Sequence, residues 1–274
     1  MCILTGSRCG FYTECMKPVL RDRRNRGGTV REVEQGRWRM EIPAGPAGEY
    51  RWAQLDDYLE LARRKFLWQP PLWLELRARV SARGLPGTWG FGLWNDPFSA
   101  SMGLGGSATR LPALPNTAWF FHAGAPNYLA FRDDHPAQGF LAAAFRAPNI
   151  PALLMAPAGL ALPLLAARPA ARLARRMARM FIDETAVLVP GDPTGWRSYR
   201  LDWSAERVTF WVDSEELLTT PVSPRGPLGL VLWIDNQFAA FPPSGKLRMG
   251  TSVNTEPAWL EVEALSIKQA VPEA

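Results

Sequence analysis

The stretch WLELRARVSARGLPGTWGFGLWND, residues 73–96, decides how the rest of the chain is read. Its first half alternates with the two-residue period of a strand: Leu74, Leu76, Ala78 and Val80 face one way, and Trp73, Glu75, Arg77 and Arg79 the other. One face is core; the other is polar with an aromatic. The second half sets aromatics among glycines and ends on an Asn-Asp-Pro turn signal. Here Trp89, Phe91 and Leu93 read as core, while Trp94, beside the space that the glycines clear, takes the other face.

Working outward, the same alternation recurs in RWRMEIPAG (37–45), in the hairpin YRLDWSAERVTFWVDSEELL (199–218), in LGLVLWIDNQ (228–237) and in AWLEVEALSIKQ (258–269). In the third of these, Trp233, Asp235 and Gln237 share a face opposite Leu232 and Ile234. Strand follows strand without alternating helices, which predicts an all-β sandwich of antiparallel sheets as one domain over residues 37–270. Residues 1–36 read as a tail, disordered or including a mis-assigned start, since Met16 directly follows Cys15. One insertion, over 150–182, breaks the strand pattern. It opens with an uncharged apolar run and continues as RPAARLARRMARMF, a basic amphipathic helix. Arg168, Arg172, Arg175, Arg176 and Arg179 recur at helical spacing, with Leu173, Met177, Met180 and Phe181 opposite them. Pro151, Pro157 and Pro163 argue against a straight membrane-spanning helix.

Composition narrows the function. Twelve tryptophans, thirteen phenylalanines, 25 prolines and 23 glycines suit many short strands joined by turns. The net charge of +5 is modest over 274 residues and comes with no recognition motif, so no nucleic-acid partner is expected. The three cysteines, Cys2, Cys9 and Cys15, leave the body without a disulfide and lack zinc-ligand spacing; neither metal nor cofactor is expected. No basic segment followed by a continuous apolar one opens the chain, so a cytoplasmic location is expected, with membrane association through the insertion as the alternative.

In their order, the strand motifs resemble a known family. ELRARV followed by GTWGFGLWND resembles the Glu-x-Arg and Gly-x-Trp strands of family-16 glycoside hydrolases, the laminarinase-like enzymes of the concanavalin A-like jelly roll. SYRLDWSAERVTFWVDSEELL resembles that family's Trp-turn-Trp-Val-Asp hairpin, and GLVLWIDNQ and WLEVEALSIKQ resemble its last strands. The resemblance implies a jelly-roll sandwich over residues 37–269, interrupted by the insertion. It also implies a catalytic Glu-x-Asp-x-x-Glu strand after the Gly-x-Trp strand, with alternate acids on the concave face. This chain has NTAWFFHAG (116–124) there, and no carboxylate occurs in it. Family-type hydrolysis is therefore not expected.

What remains is a cleft without its acids. The expected function is non-hydrolytic binding of a saccharide or amphipathic metabolite. Trp94, Trp211 and Trp233 would act as stacking surfaces, and Arg77, Asp96, Asp235 and Gln237 as polar partners. An enzyme using His122 or Asp96 in the same cleft is one alternative, His122 standing where the family places its acids. A membrane-associated or protein-docking scaffold acting through the five arginines is another. Asp96 also reads as a turn cap, the pairs Asp56–Asp57 and Asp133–Asp134 as turns or solvated edges, and GLGGSATR (103–110) as a flexible loop.

Overall fold

The computed structural model describes residues 12–16, 18–97, 110, 113–150 and 162–271, with backbone alone for 12–16, 162, 163 and 271. Two antiparallel sheets carry the fold. The eight-stranded sheet runs β13 (Glu215–Thr220), β12 (Val208–Val212), β11 (Arg197–Trp203), β6 (Leu72–Val80), β17 (Ala258–Val271), β4 (Arg37–Ile42) and β3 (Thr29–Glu34). β1 (Tyr12–Met16) joins it on the far half of β17. The seven-stranded sheet runs β10 (Asp183–Leu188), β9 (Gly139–Arg146), β8 (Thr117–Ala123), β7 (Thr88–Trp94), β14 (Gly229–Asp235), β5 (Trp52–Asp56) and β2 (Arg21–Asn25). A short ribbon, β15 (Gln237–Ala240) with β16 (Arg248–Thr251), stands apart. Neighbours such as β6 beside β17 and β7 beside β14 are distant in sequence, as in a jelly roll.

The core lies between the sheets and follows the alternation. β6 sends in Leu74, Leu76, Ala78 and Val80, β7 sends in Trp89, Phe91 and Leu93, and β14 sends in Leu230, Leu232 and Ile234. Rings bridge the two layers: Phe120 meets Phe210 at 5.3 Å and Phe91 meets Tyr199 at 5.0 Å between centroids. Each such side chain, fully buried, contributes roughly 1.5–3 kcal/mol.

Two expectations change here. The tail assigned to 1–36 is corrected from Tyr12 onward, because β1 pairs with β17, β2 closes the edge of one sheet against β5, and β3 closes that of the other against β4. The charged residues of β2 and β3 hid these two strands. Edge strands with little buried surface tolerate charge on nearly every position, so the two-residue pattern is faint. The insertion holds a 3-10 turn (Leu162–Ala166) and a helix, α1 (Arg168–Phe181), but α1 sits the other way round. Its buried positions are Ala171 and Arg175, whereas Leu173, Met177, Met180 and Phe181 are exposed. The apolar run over 151–161, most of the loop 103–110, and Cys2 and Cys9 lie outside the described residues.

Candidate functional site

The outer face of the seven-stranded sheet is read row by row from its register. Gly90 and Gly92 of β7 stand at its centre. Gly92 pairs with Trp119 of β8 and Val231 of β14, and Gly90 with Phe121 and Trp233. A Cβ on Gly90 would come within 2.7 Å of the Trp233 ring, and one on Gly92 within 2.5 Å of Trp119. Both positions therefore need glycine, so that bulky rings from each neighbour can lie across β7. Trp94, next on the same face, completes the group: centroids are 5.2 Å apart for Trp119–Trp233, 6.0 Å for Trp94–Trp119 and 6.3 Å for Trp94–Trp233, the last pair stacked nearly parallel at 4°. Trp119 and Trp233 are half-buried and Trp94 is buried.

Polar groups rim the cluster. The Trp233 indole donates to Thr88 Oγ1 at 2.9 Å, and Thr88 donates in turn to Asp235 Oδ1 through its amide and hydroxyl. Gln54 Nε2 donates to Asp56 Oδ2 at 2.8 Å and to the Tyr58 hydroxyl at 3.2 Å. Arg23 lies 3.6 Å from Asp56 and over the Trp52 ring. Two buried groups among them have no hydrogen-bond partner among the described residues: the Trp119 indole N–H and the Thr117 hydroxyl, two positions apart on the outward side of β8. Unpaired buried polar groups are costly, and these two stand together on one strand.

Burial governs the acids. Asp235 is pushed up to about 7 by desolvation, against the bonds from Gln237 and Thr88 that favour its ionised form. Desolvation also raises Asp56, resisted by Gln54 and Arg23, and takes Asp57 to about 6, resisted by the Trp68 indole. Asp96 is raised too, although Arg110 Nη1 donates to its Oδ2 at 2.6 Å. On the β5–β14 ladder Asp56 faces Val231 while Asp235 faces Trp52, four positions away. At about 3.4 Å per residue their Cα atoms are roughly 14 Å apart along the strands. Acid and nucleophile in a retaining glycosidase stand about 5 Å apart, and the pair in an inverting one at most about 9.5 Å apart. The outward positions of β8, Thr117, Trp119 and Phe121, supply no carboxylate.

The structure brings together only part of the set expected from sequence. Trp94, Trp233 and Asp235 share the face described above. Gln237 begins the neighbouring ribbon and donates its amide to Asp235 at 3.0 Å. Arg77 and Trp211 belong to the other sheet: Arg77 is bonded to Glu263 on β17, and Trp211 pairs with Arg200. They point away from the opposite side of the sandwich and cannot join this face. His122 is also corrected. It pairs with Trp89 on the core side of β8, stacked at 5.5 Å and bonded to the Leu85 carbonyl, and burial lowers its pKa. Asp96 sits past the end of β7 at φ 47°, holding Arg110, which also donates to the carbonyls of Tyr58, Leu59 and Leu61. That clasp secures the segment after β5. Asp56 and Asp57, read as turn or edge acids, are buried.

Sequence reasoning passed over Trp119, Thr117 and Gln54. In TAWFFHA both faces of the strand are largely apolar, so alternation alone does not say which side is core. The glycines opposite Trp119 were the available signal. A separate cavity of about 430 Å³ opens at the β10 edge, lined by Arg132, His135, Arg179 and Glu184 among others. It lies at the far side of the sheet from β14 and shares no residue with the tryptophan cluster. Among the described residues no three His, Cys, Asp or Glu side chains gather to hold a metal.

No protein-family model matches the chain, and no curated protein matches it in sequence. Solved structures are similar to it. The β-glucanase of Bacillus licheniformis is 10% identical, with 96% of this chain and 99% of that one covered at a TM-score of 0.46. The catalytic domain of an endo-1,3-β-glucanase (laminarinase) from Thermotoga petrophila is 11% identical over 88% and 80%, with a TM-score of 0.42. A glycoside hydrolase family protein from Mycobacterium thermorestibile is 15% identical over 86% and 76%, also at 0.42.

Proposed function

We propose that the outer face of the seven-stranded sheet binds a saccharide, or an amphipathic metabolite with one flat apolar side, and does not hydrolyse it. The observation that carries this reading is the outward side of β8. It carries Trp119, clustered with Trp94 and the half-buried Trp233, and no carboxylate. Indole faces suit the C–H side of a sugar ring, and Gln54, Thr117 and Asp235 suit its hydroxyls. The motif resemblance makes β-1,3- and β-1,3/1,4-linked gluco-oligosaccharides the first probes.

Titration calorimetry and tryptophan fluorescence with these oligosaccharides should report binding that Trp119→Ala and Trp233→Ala each weaken by about tenfold or more, the worth of one well-placed aromatic contact. His122→Gln should leave it unchanged. Reducing-end assays should show no cleavage. Cleavage abolished by Asp56→Asn or Asp235→Asn would defeat the proposal, and so would binding indifferent to both tryptophans.

A further inference from the structure

Helix α1 presents an unusual surface. At about 100° per residue, its circumference divides into three strips. Ala171, Ala174, Ala178 and Arg175 form the inward strip, with Ala178 packed against the apolar cluster outside β8–β10. Arg175 is buried because it serves carbonyls: Nη1 donates to Ala130 and Phe241 at 2.7 Å each, and Nη2 donates to Asp133. It is therefore removed from the five arginines expected to meet a partner. Next around the helix come Arg168, Arg179, Arg172 and Arg176, all exposed. The outward strip is Met180, Leu173, Met177 and Phe181, which are 79%, 58%, 51% and 48% exposed.

An apolar strip facing water on a helix whose alanines face the core is a cost that folding alone does not require. The basic strip beside it indicates what covers it. The helix contains no acid. Arg168 and Arg176 have no ion-pair partner among the described residues, Arg172 donates only to the Ser244 carbonyl, and Arg179 shares Asp133 with Arg175. The loop that meets Arg168 and Arg172 at Ser244 and Gly245 carries Lys246 as its next residue. Apolar side chains flanked along their length by cations match the boundary between anionic headgroups and acyl chains. No helix among the described residues is long and apolar enough to cross a membrane.

We propose that α1 docks the protein onto the surface of an anionic bilayer, with Leu173, Met177, Met180 and Phe181 entering the headgroup layer and Arg168, Arg172 and Arg176 meeting lipid phosphates. Flotation of the full chain with vesicles of phosphatidylcholine, alone or mixed with phosphatidylglycerol, tests this. The protein should float with the mixed vesicles and not with the neutral ones, and added salt should weaken the association. Arg168→Gln with Arg176→Gln should weaken it about thirty-fold, the factor carried by two arginines at an anionic surface. Met177→Gln with Met180→Gln should also weaken it. All four side chains are exposed, so circular dichroism and melting should be unchanged in both variants. No flotation with the mixed vesicles would overturn the proposal, as would flotation equal for wild type and the arginine variant. A wild-type dimer that Met177→Gln with Met180→Gln converts to monomer, without vesicle binding, would assign the strip to a second copy of the chain instead.

Discussion

Replacing Asp235 by Asn should change how stability depends on pH, and the size of the change follows from the site. Asp235 is buried on the outward side of β14, and desolvation holds its carboxyl near 7 against an ordinary value of 3.8. Between those values the unfolded chain has released a proton that the fold retains. The stability this group contributes is thus fully present below about pH 4 and is lost as pH rises to about 7, at up to about 1.36 kcal/mol per pH unit. From pH 5 to pH 7 the loss is about 2 kcal/mol, and by pH 8, where it levels off, it approaches about 3 kcal/mol. Asn keeps an oxygen to accept from the Thr88 amide and hydroxyl and from the Gln237 amide, bonds of 3.0–3.1 Å, without any charge to desolvate. The Asp57 carboxyl, raised to about 6, loses stability in the same direction but is present in both proteins and cancels in the difference. Urea titrations of wild type and Asp235→Asn at pH 5, 6, 7 and 8 measure the effect. Relative to wild type, the variant should gain about 3 kcal/mol between pH 5 and pH 8, or roughly 6 °C in melting temperature at about 2 °C per kcal/mol. Curves that stay parallel within about 1 kcal/mol would show that Asp235 is already ionised at pH 5 and refute the burial argument.

Two further substitutions probe the architecture of the face. Arg110→Ala leaves Asp96 buried without its cation and uncouples the carbonyls of Tyr58, Leu59 and Leu61, so it should cost about 3–5 kcal/mol in urea unfolding; a loss under about 1 kcal/mol would remove the clasp from the account. Gly90→Ala puts a methyl 2.5 Å from the Phe120 carbonyl and 2.7 Å from Trp233, and should cost about 1–3 kcal/mol while shifting the near-ultraviolet tryptophan signal; an unshifted spectrum would mean that the ring does not lie over β7.

Much of the fold was legible because alternation within a strand is local. Leu74, Leu76, Ala78 and Val80 point one way for any partner β6 finds, and the same holds for Leu232 and Ile234 against Trp233 and Asp235. The site was legible only where one face of a strand is plainly apolar and the other is not. β8 fails that condition: Phe120 and His122 face the core while Trp119 and Phe121 do not, and nothing in TAWFFHA distinguishes them. β2 and β3 were missed for the opposite reason, since edges with charge on half or more of their positions carry little apolar signal.

The sequence by itself determined where the central strands run, which side chains of β6, β7 and β14 are core, and that the strand after the glycine-rich one holds no acid. Each of those facts depends on neighbours a few residues away or on composition alone. The tertiary structure decided which strands share a sheet, and hence that Trp94, Trp119 and Trp233 meet while Arg77 and Trp211 lie across the sandwich. It also turned α1 so that Arg175 satisfies buried carbonyls and the methionines face outward. Both outcomes come from pairing and packing between residues far apart in the chain, where the backbone's hydrogen bonds and the space beside glycines select among arrangements that the same local pattern allows.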